Sequence, residues 1–334
     1  MARNLEPEAI GQLHAPVLLD EVLELLAPAF TGRESAVMVD GTLGMGGHTE
    51  AVLQRFPGVN VIGIDRDPQA IELASARLAR FGDRFRAVRA TYDQIDEVVA
   101  GLGLDTVDAV LMDLGVSSLQ LDDDERGFSY SRPAPLDMRM DQSGGETAAQ
   151  ILANWSEGEL ARILRVYGEE KFAKRIARRI VDTREESPIT DSVALAQLVR
   201  DAIPAATRRT GGHPAKRTFQ ALRIAVNDEL TILESAVPKA LSVLRVGGRL
   251  VIESYQSLED RIVKTIFKQG SEVDIPADLP ILPADMDEPA LKLITRRAIQ
   301  ADEDAIADNP RAQSVRLRAV QINKPFEPNT RSSR

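Results

Sequence analysis

Between Val37 and Leu114, short β-rich runs alternate with helical stretches, and this rhythm restricts the fold more than any other feature of the chain. Val37–Asp40 ends in a glycine-rich turn, and Thr49–Phe56 reads as a helix. Val59–Asp65 is followed by a helix over Pro68–Arg80 with apolar residues at Ile71, Leu73, Ala74 and Leu78. Arg86–Arg89 precedes a helix around Ile95–Val99, and Val107–Leu114 carries Asp113 near its end. Strands that alternate with helices predict an α/β fold, a parallel sheet with helices on its faces.

The rhythm then stops. Asp122–Gly145 is rich in charge, Gly and Pro, which predicts a long loop of the kind that carries function when ordered. Thr147–Ile203 reads as all helix, punctuated at Ser187-Pro188 and Pro204. After Gly211-Gly212 another helix is expected over Thr218–Leu244. A Gly247-Gly248 turn leads to a strand over Arg249–Ser254, so the sheet resumes, and Leu291–Ile299 with Ser314–Ile322 would add an antiparallel pair. The 334 residues thus suit one discontinuous domain, 1–142 with 211–334, and an all-helical insertion over 143–210.

Charge bears on partners. The chain carries a net −10, yet Leu160–Arg223 holds 14 Lys and Arg against 7 Asp and Glu, a basic stretch inside an acidic protein. A solvated helix face explains such a stretch, and so does a nucleic-acid phosphate backbone. The absence of cysteine excludes disulfides, thiolate zinc sites and cysteine nucleophiles. Met1–Gln12 lacks the apolar stretch of a signal peptide, and no later run approaches the ~20 apolar residues of a membrane span. A soluble, cytoplasmic protein with no membrane partner is expected.

The turn Asp40-Gly-Thr-Leu-Gly-Met-Gly-Gly-His48 lies between a strand and a helix, where glycines admit close backbone approach and the helix N-terminus offers unpaired N–H groups. It departs from the dinucleotide fingerprint, because Gly44-x-Gly46 continues as Gly47-His48-Thr49 rather than x-x-Gly. An acid at the strand end suits a cationic cofactor with an amino-acid tail better than a pyrophosphate, which makes Asp40 a candidate. Asp65 ends the second strand 19 residues beyond Gly46, the spacing at which Rossmann-like α/β folds place a carboxylate on ribose hydroxyls. Asp113 adds a third acid at a strand's carboxyl end, the edge where open α/β sheets bind ligands.

From Asp113-Leu-Gly-Val-Ser-Ser118 onward the chain resembles one family. DDDERGF (122–128), PLDMRMD (135–141), YGEEKFAKRIAR (167–178), HPAKRTFQALRIAVNDEL (213–230) and SLEDRIVK (257–264) are similar to the bacterial 16S ribosomal RNA (cytosine-N4)-methyltransferases, as are His14-Ala-Pro-Val17 and the glycine turn. The resemblance runs in one order from His14 to Val320. It implies a Rossmann-like S-adenosylmethionine methyltransferase sheet with a helical insertion. The implied donor is S-adenosyl-L-methionine, and the implied acceptor is a cytidine amine in the decoding region of small-subunit ribosomal RNA, naked or in the assembled subunit. A homodimer stays open. Implied cofactor contacts are Gly46, Gly47, His48, Asp65, Tyr92, Asp113 and Gln120, with Tyr92 standing where the family often has phenylalanine. Many relatives read S-F-H-S-L-E-D-R where this chain has Ser254-Tyr-Gln256-Ser-Leu-Glu-Asp-Arg261, and Gln256 cannot take a proton as a histidine base would.

Methyl transfer to a cytosine amine needs the two partners placed in line and an acceptor for the amine hydrogens, because that lone pair is delocalised into the ring. Asp113 is the first candidate for that catalytic role, with Ser117 and Asp137 in reserve. Asp137, Arg139, Lys174, Arg178, Arg217 and Gln256 are the candidate substrate contacts. Lys171, Lys174, Arg175, Arg178 and Arg179 recur at helical spacing, which puts most of them on one face, with Phe172 and Ile176 turned to the core. No metal is expected, since three scattered histidines without cysteine do not make a zinc site. Two rivals are an amine methyltransferase of DNA or another RNA, and a non-catalytic RNA-binding assembly factor. The PLDMRMD and SLEDRIVK segments disfavour the first, and the intact acid set the second.

Overall fold

The computed structural model describes residues 16–205, 213–273 and 288–327. His14-Ala15 of the N-terminal motif and Gly211-Gly212 lie outside them. The chain divides into two compact units, Met1–Gly115 with Thr231–Arg334, and Val116–Leu230. The inserted unit therefore extends beyond 143–210 on both sides, because the loop before it and the helix after it pack with its helices.

In the first unit the chain runs α1 (Leu19–Phe30), β1 (Ala36–Asp40), α2 (Gly47–Arg55), β2 (Val59–Asp65), α3 (Pro68–Leu78), β3 (Phe85–Arg89), α4 (Ile95–Gly101) and β4 (Val107–Asp113). β4 is paired by β5 (Leu244–Ser254), which the chain reaches only after the inserted unit. Among the described residues the sheet has seven strands in the order β3-β2-β1-β4-β5-β7-β6, with β6 at Leu291–Leu293 and β7 at Arg316–Ile322. The pairs from β3 to β5 are parallel, while β7 is antiparallel to both β5 and β6. This is a Rossmann-like α/β fold.

Period-two alternation explains why both faces are covered. Val39, Val110, Met112 and Ile252 enter one core with Ile95 and Val99 of α4, while their neighbours Met38, Ala109, Leu111 and Val251 enter the other with Val22 and Leu26 of α1 and Leu78 of α3. The chain leaves β1 toward β2 and β3 on one side, and β4 returns on the other, so β1 and β4 flank a switch point. Open parallel sheets form a ligand crevice there, at the carboxyl ends of the strands.

The second unit holds α5 (Ser118–Asp122), α6 (Ala148–Asn154), α7 (Glu157–Val166), α8 (Ala173–Glu186), α9 (Ser192–Ala202) and α10 (Lys216–Asn227). Thr147 and Ser156 cap α6 and α7 through reciprocal side-chain bonds with Gln150 and Glu159. α8 buries Ala173, Ile176, Ala177 and Ile180, and Phe172 packs partly buried against the same core. Lys171, Lys174, Arg175, Arg178 and Arg179 are all exposed. The expected single helix over Thr218–Leu244 is instead two, α10 and α11 (Glu229–Ser242), broken at Asp228, whose φ of 51° leaves the helical region. The loop before α6 is ordered: buried Asn227 accepts the Met140 N–H and donates to the Met138 carbonyl, each at 2.8 Å, and buried Arg126 donates to the Met140 carbonyl at 3.2 Å.

Candidate active site at the switch point

The acids of the first unit gather where the topology places them. Asp40 ends β1, Asp65 ends β2, and Asp113 ends β4. Asp113 is the register partner of Glu253 in the parallel β4–β5 pair. Parallel register partners project to the same face, so this chain sets two carboxyl groups side by side.

Asp40 is buried and held in place. Its Oδ1 accepts the Thr42 N–H at 3.2 Å, and its Oδ2 accepts the Thr49 hydroxyl at 2.6 Å. Burial raises its pKa to about 6 against the pull of the Thr49 bond and of His48. Burial likewise raises Asp113 to about 6, and a hydrogen bond from Tyr255 only partly offsets that. Burial, then the charges of Asp113, Glu21 and Asp40, push Glu253 well above the ordinary carboxylate range. Burial lowers His48, which sits in the first turn of α2, where the helix dipole also disfavours an added proton.

His48 bridges the acids. Its Nδ1 lies 3.7 Å from Asp113 Oδ2, and its Nε2 lies 3.4 Å from Glu253 Oε2 and 3.3 Å from the Val17 carbonyl. One ligand atom from each of His48, Asp113 and Glu253 falls within 4.8 Å of the others. The two carboxyl groups address opposite ring nitrogens, a geometry that suits a chain of proton sharing.

The other end of β4 offers a contrast. Buried Asp108 accepts the Val37 N–H at 2.8 Å and pairs with Arg245 and Arg33, so its charge is neutralised within the protein. At the switch point, by contrast, Asp113 Oδ1 and both Glu253 oxygens are buried without a hydrogen-bond partner. Buried acids short of cations fit a ligand that brings positive charge. A sulfonium with an α-ammonium group is such a ligand.

Several of the other expected contacts have packing roles of their own. Gly46 has a φ of 77°, and a Cβ there would stand 2.9 Å from Leu78, while a Cβ on Gly47 would meet Pro16 at 2.9 Å. The positive φ favours glycine at Gly46, and a side chain at Gly47 would force Pro16 to shift. Asp65 accepts the Gly44 N–H at 2.8 Å and the Asp67 N–H at 2.9 Å, so it also shapes the turn. Burial is the larger influence on Asp65 and raises its pKa. Tyr92 packs beside Gly41, with its Cβ 3.4 Å from where a glycine substituent would lie. At the N-terminus of α12 (Ser257–Gly270), Gln256 donates to the Glu259 carboxylate from its backbone N–H at 3.2 Å and from Nε2 at 2.8 Å, and its buried Oε1 has no partner.

In the second unit, Gln120 is buried and its Oε1 accepts the Ser117 N–H at 3.1 Å. Asp137 and Arg139 are occupied with each other through bonds of 2.8 and 2.9 Å, and Arg139 also reaches the Gly144 carbonyl. Burial works against the charge of Asp137, yet Arg139 and Gln142 together hold its pKa below the usual range. The pair closes a turn. Arg217 is exposed and donates to the Glu169 carbonyl at 2.9 Å, and Lys174 and Arg178 stand on the exposed face of α8. Glu253, Thr42, Thr49 and Tyr255 were not among the expected site residues. Glu253 reads in sequence as one of several polar residues in its strand, and only its register with Asp113 reveals it.

A family model described as the MraW methylase family matches residues 11–323. This chain belongs to the MraW methylase family. Proteins named ribosomal RNA small subunit methyltransferase H are similar to it. The one from Nocardioides sp. is 60% identical over 311 residues, covering 93% of this chain and 97% of its own. That of Beutenbergia cavernae is 59% identical over 309 residues, covering 92% of each, and that of Renibacterium salmoninarum 54% identical over 324 residues, covering 96% and 97%. Every segment that carries the family resemblance, from Asp113 through SLEDRIVK, lies inside the matched span of the MraW methylases.

Proposed function

We propose that this chain transfers a methyl group from S-adenosyl-L-methionine to the N4 amine of a cytidine in the decoding region of 16S ribosomal RNA, acting in the cytoplasm. One observation carries the reading: acids at the β1/β4 switch point, Asp40 and Glu253 buried and Asp113 partly buried, that no lysine or arginine among the described residues neutralises, in a member of the MraW methylase family. When bound, the cofactor supplies an electrophilic methyl on a cationic sulfur.

The chain's own residues do the rest. Asp40 and Asp113 would complement the positive charge, Asp65 would accept from the ribose hydroxyls, and Tyr92 would pack against the adenine. Gly47 and His48 open α2 and offer its N–H groups, while Gly46 caps the helix and spends its own N–H on the Leu43 carbonyl. Gln256 orients the nucleotide. Asp113, as a carboxylate, holds the amine hydrogens and restores nucleophilicity to the nitrogen. Lys174 and Arg178, with Arg217, position RNA phosphates, and the target base is unstacked to reach the donor. Asp137 and Arg139 contribute by shaping their loop.

No helix among the described residues is long and apolar enough to cross a membrane. Tritium transfer from labelled S-adenosyl-L-methionine to small-subunit RNA, offered naked and as the assembled subunit, tests the reading. Label in RNA with the parent protein and none with Asp113→Asn is expected; equal label with both would overturn the role of Asp113.

A further inference from the structure

Glu253 is fully buried, neither of its oxygens has a hydrogen-bond partner, and the charged groups around it are acids: Glu21 on α1, Asp40 on β1 and Asp113 on β4. Among the described residues no lysine or arginine neutralises it. A carboxyl group in that setting keeps its proton, and the proton needs an acceptor. The His48 ring nitrogen Nε2, 3.4 Å away, is within a few tenths of an ångström of a good bond.

The same nitrogen lies 3.3 Å from the Val17 carbonyl, which can only accept. His48 therefore has two ways to carry its single proton. With the proton on Nε2 it donates to Val17 and turns a bare Nδ1 toward Asp113. With the proton on Nδ1 it accepts from Glu253 and turns a donor toward Asp113 Oδ2, now 3.7 Å away. The first arrangement favours a protonated Asp113, the second a carboxylate.

We propose that Glu253 is a positioning residue for methyl transfer: as a neutral acid it donates to His48 Nε2, commits the ring proton to Nδ1, and so keeps Asp113 in the form that takes up the amine hydrogen. The inference rests on the function proposed above. In the reaction the amine nitrogen's pair forms the N–C bond, and the pair of the breaking C–S bond stays on sulfur, which becomes a neutral thioether. The displaced N–H proton passes to the Asp113 carboxylate. Tyr255, hydrogen-bonded to Asp113, and Glu259, which faces Tyr255, complete the groups around that carboxylate.

The test uses the full chain without cofactor, labelled with ¹⁵N-histidine, His48 being assigned by its loss in His48→Asn. Nitrogen shifts near neutral pH report the tautomer directly. The parent should carry its proton on Nδ1, Glu253→Gln should keep it there because an amide can still donate, and Glu253→Met should move it to Nε2. In parallel, the acid limb of kcat/KM for the cofactor should rise by about one pH unit in Glu253→Met, a tenfold change in the proton equilibrium, and stay in place in Glu253→Gln. A parent ring protonated on Nε2 overturns the proposal, and that measurement needs no variant to fold. An acid limb that falls in Glu253→Gln overturns it too, since it would mean that Glu253 had been charged. Absence of methyl transfer by the parent would instead overturn the proposed function and leave the tautomer result standing.

Discussion

Thr42 and Asp113, 71 residues apart, are joined by a 2.6 Å hydrogen bond in which the Asp113 backbone N–H donates to Thr42 Oγ1. The bond ties the glycine turn after β1 to the end of β4, across the switch point, so the turn and the proposed catalytic acid move together. Thr42→Val keeps the shape but leaves that N–H unpaired, which should cost about 1–3 kcal/mol in urea unfolding. Thr42→Ser should recover most of it. Equal stability of all three proteins would show that the bond contributes nothing.

Asp65 serves two purposes, and its variants should show both. Asp65→Ala should weaken S-adenosyl-L-methionine binding by about 1.5–3 kcal/mol, the range for hydrogen bonds to a charged group. Because the carboxylate also accepts the Gly44 and Asp67 N–H groups, the cofactor-free protein should lose stability as well. Calorimetry that finds unchanged affinity would remove Asp65 from the cofactor site.

The raised acids predict how pH acts on cofactor binding. Asp40 and Asp113 titrate near about 6 in the free protein, and a cation beside them favours their ionised forms. Affinity should therefore climb as pH rises through that value, and binding near pH 6 should release protons to the buffer. Stability of the free protein runs the other way. The folded state holds protons that the unfolded chain gives up from its ordinary 3.8, so these two acids favour folding least above about 6. Calorimetry at pH 6 in two buffers of different ionisation enthalpy measures the release, and identical heats would contradict it.

The basic face of α8 is the proposed RNA-docking element. Lys174, Arg178 and Arg179 are exposed opposite the buried Ile176 and Ile180. Changing all three to glutamate should weaken RNA binding and flatten its salt dependence, by up to about 0.9 in slope for each phosphate that is no longer neutralised. Cofactor affinity should stay the same. RNA affinities measured at two salt concentrations decide it, and equal slopes for both proteins would mean a solvated face with no partner.

The strand-end acids were legible in sequence because each closes a short apolar run, and spacing alone related Asp65 to the glycine turn. α1 is less legible although Val22, Leu26, Ala29 and Phe30 repeat at helical intervals, because it precedes the first strand and carries no motif. The break at Asp228 was hidden, since apolar periodicity runs on through it and only a positive φ marks the boundary. The motif around Asp137 and Arg139 suggests substrate contacts, whereas their two-residue separation also lets them satisfy each other. Glu253 was out of reach because its significance is a register relation between strands that are more than a hundred residues apart.

The identity of the methylated atom distinguishes this chemistry from every other RNA methylation. Mass mapping of 16S ribosomal RNA from cells with and without the gene, followed by fragmentation of the affected nucleoside, tests it most directly. One cytidine in the decoding region is expected to carry a methyl on N4 only when the gene is present. A methyl that persists without the gene, or one that resides on a ring carbon, a ribose hydroxyl or another base, would contradict it.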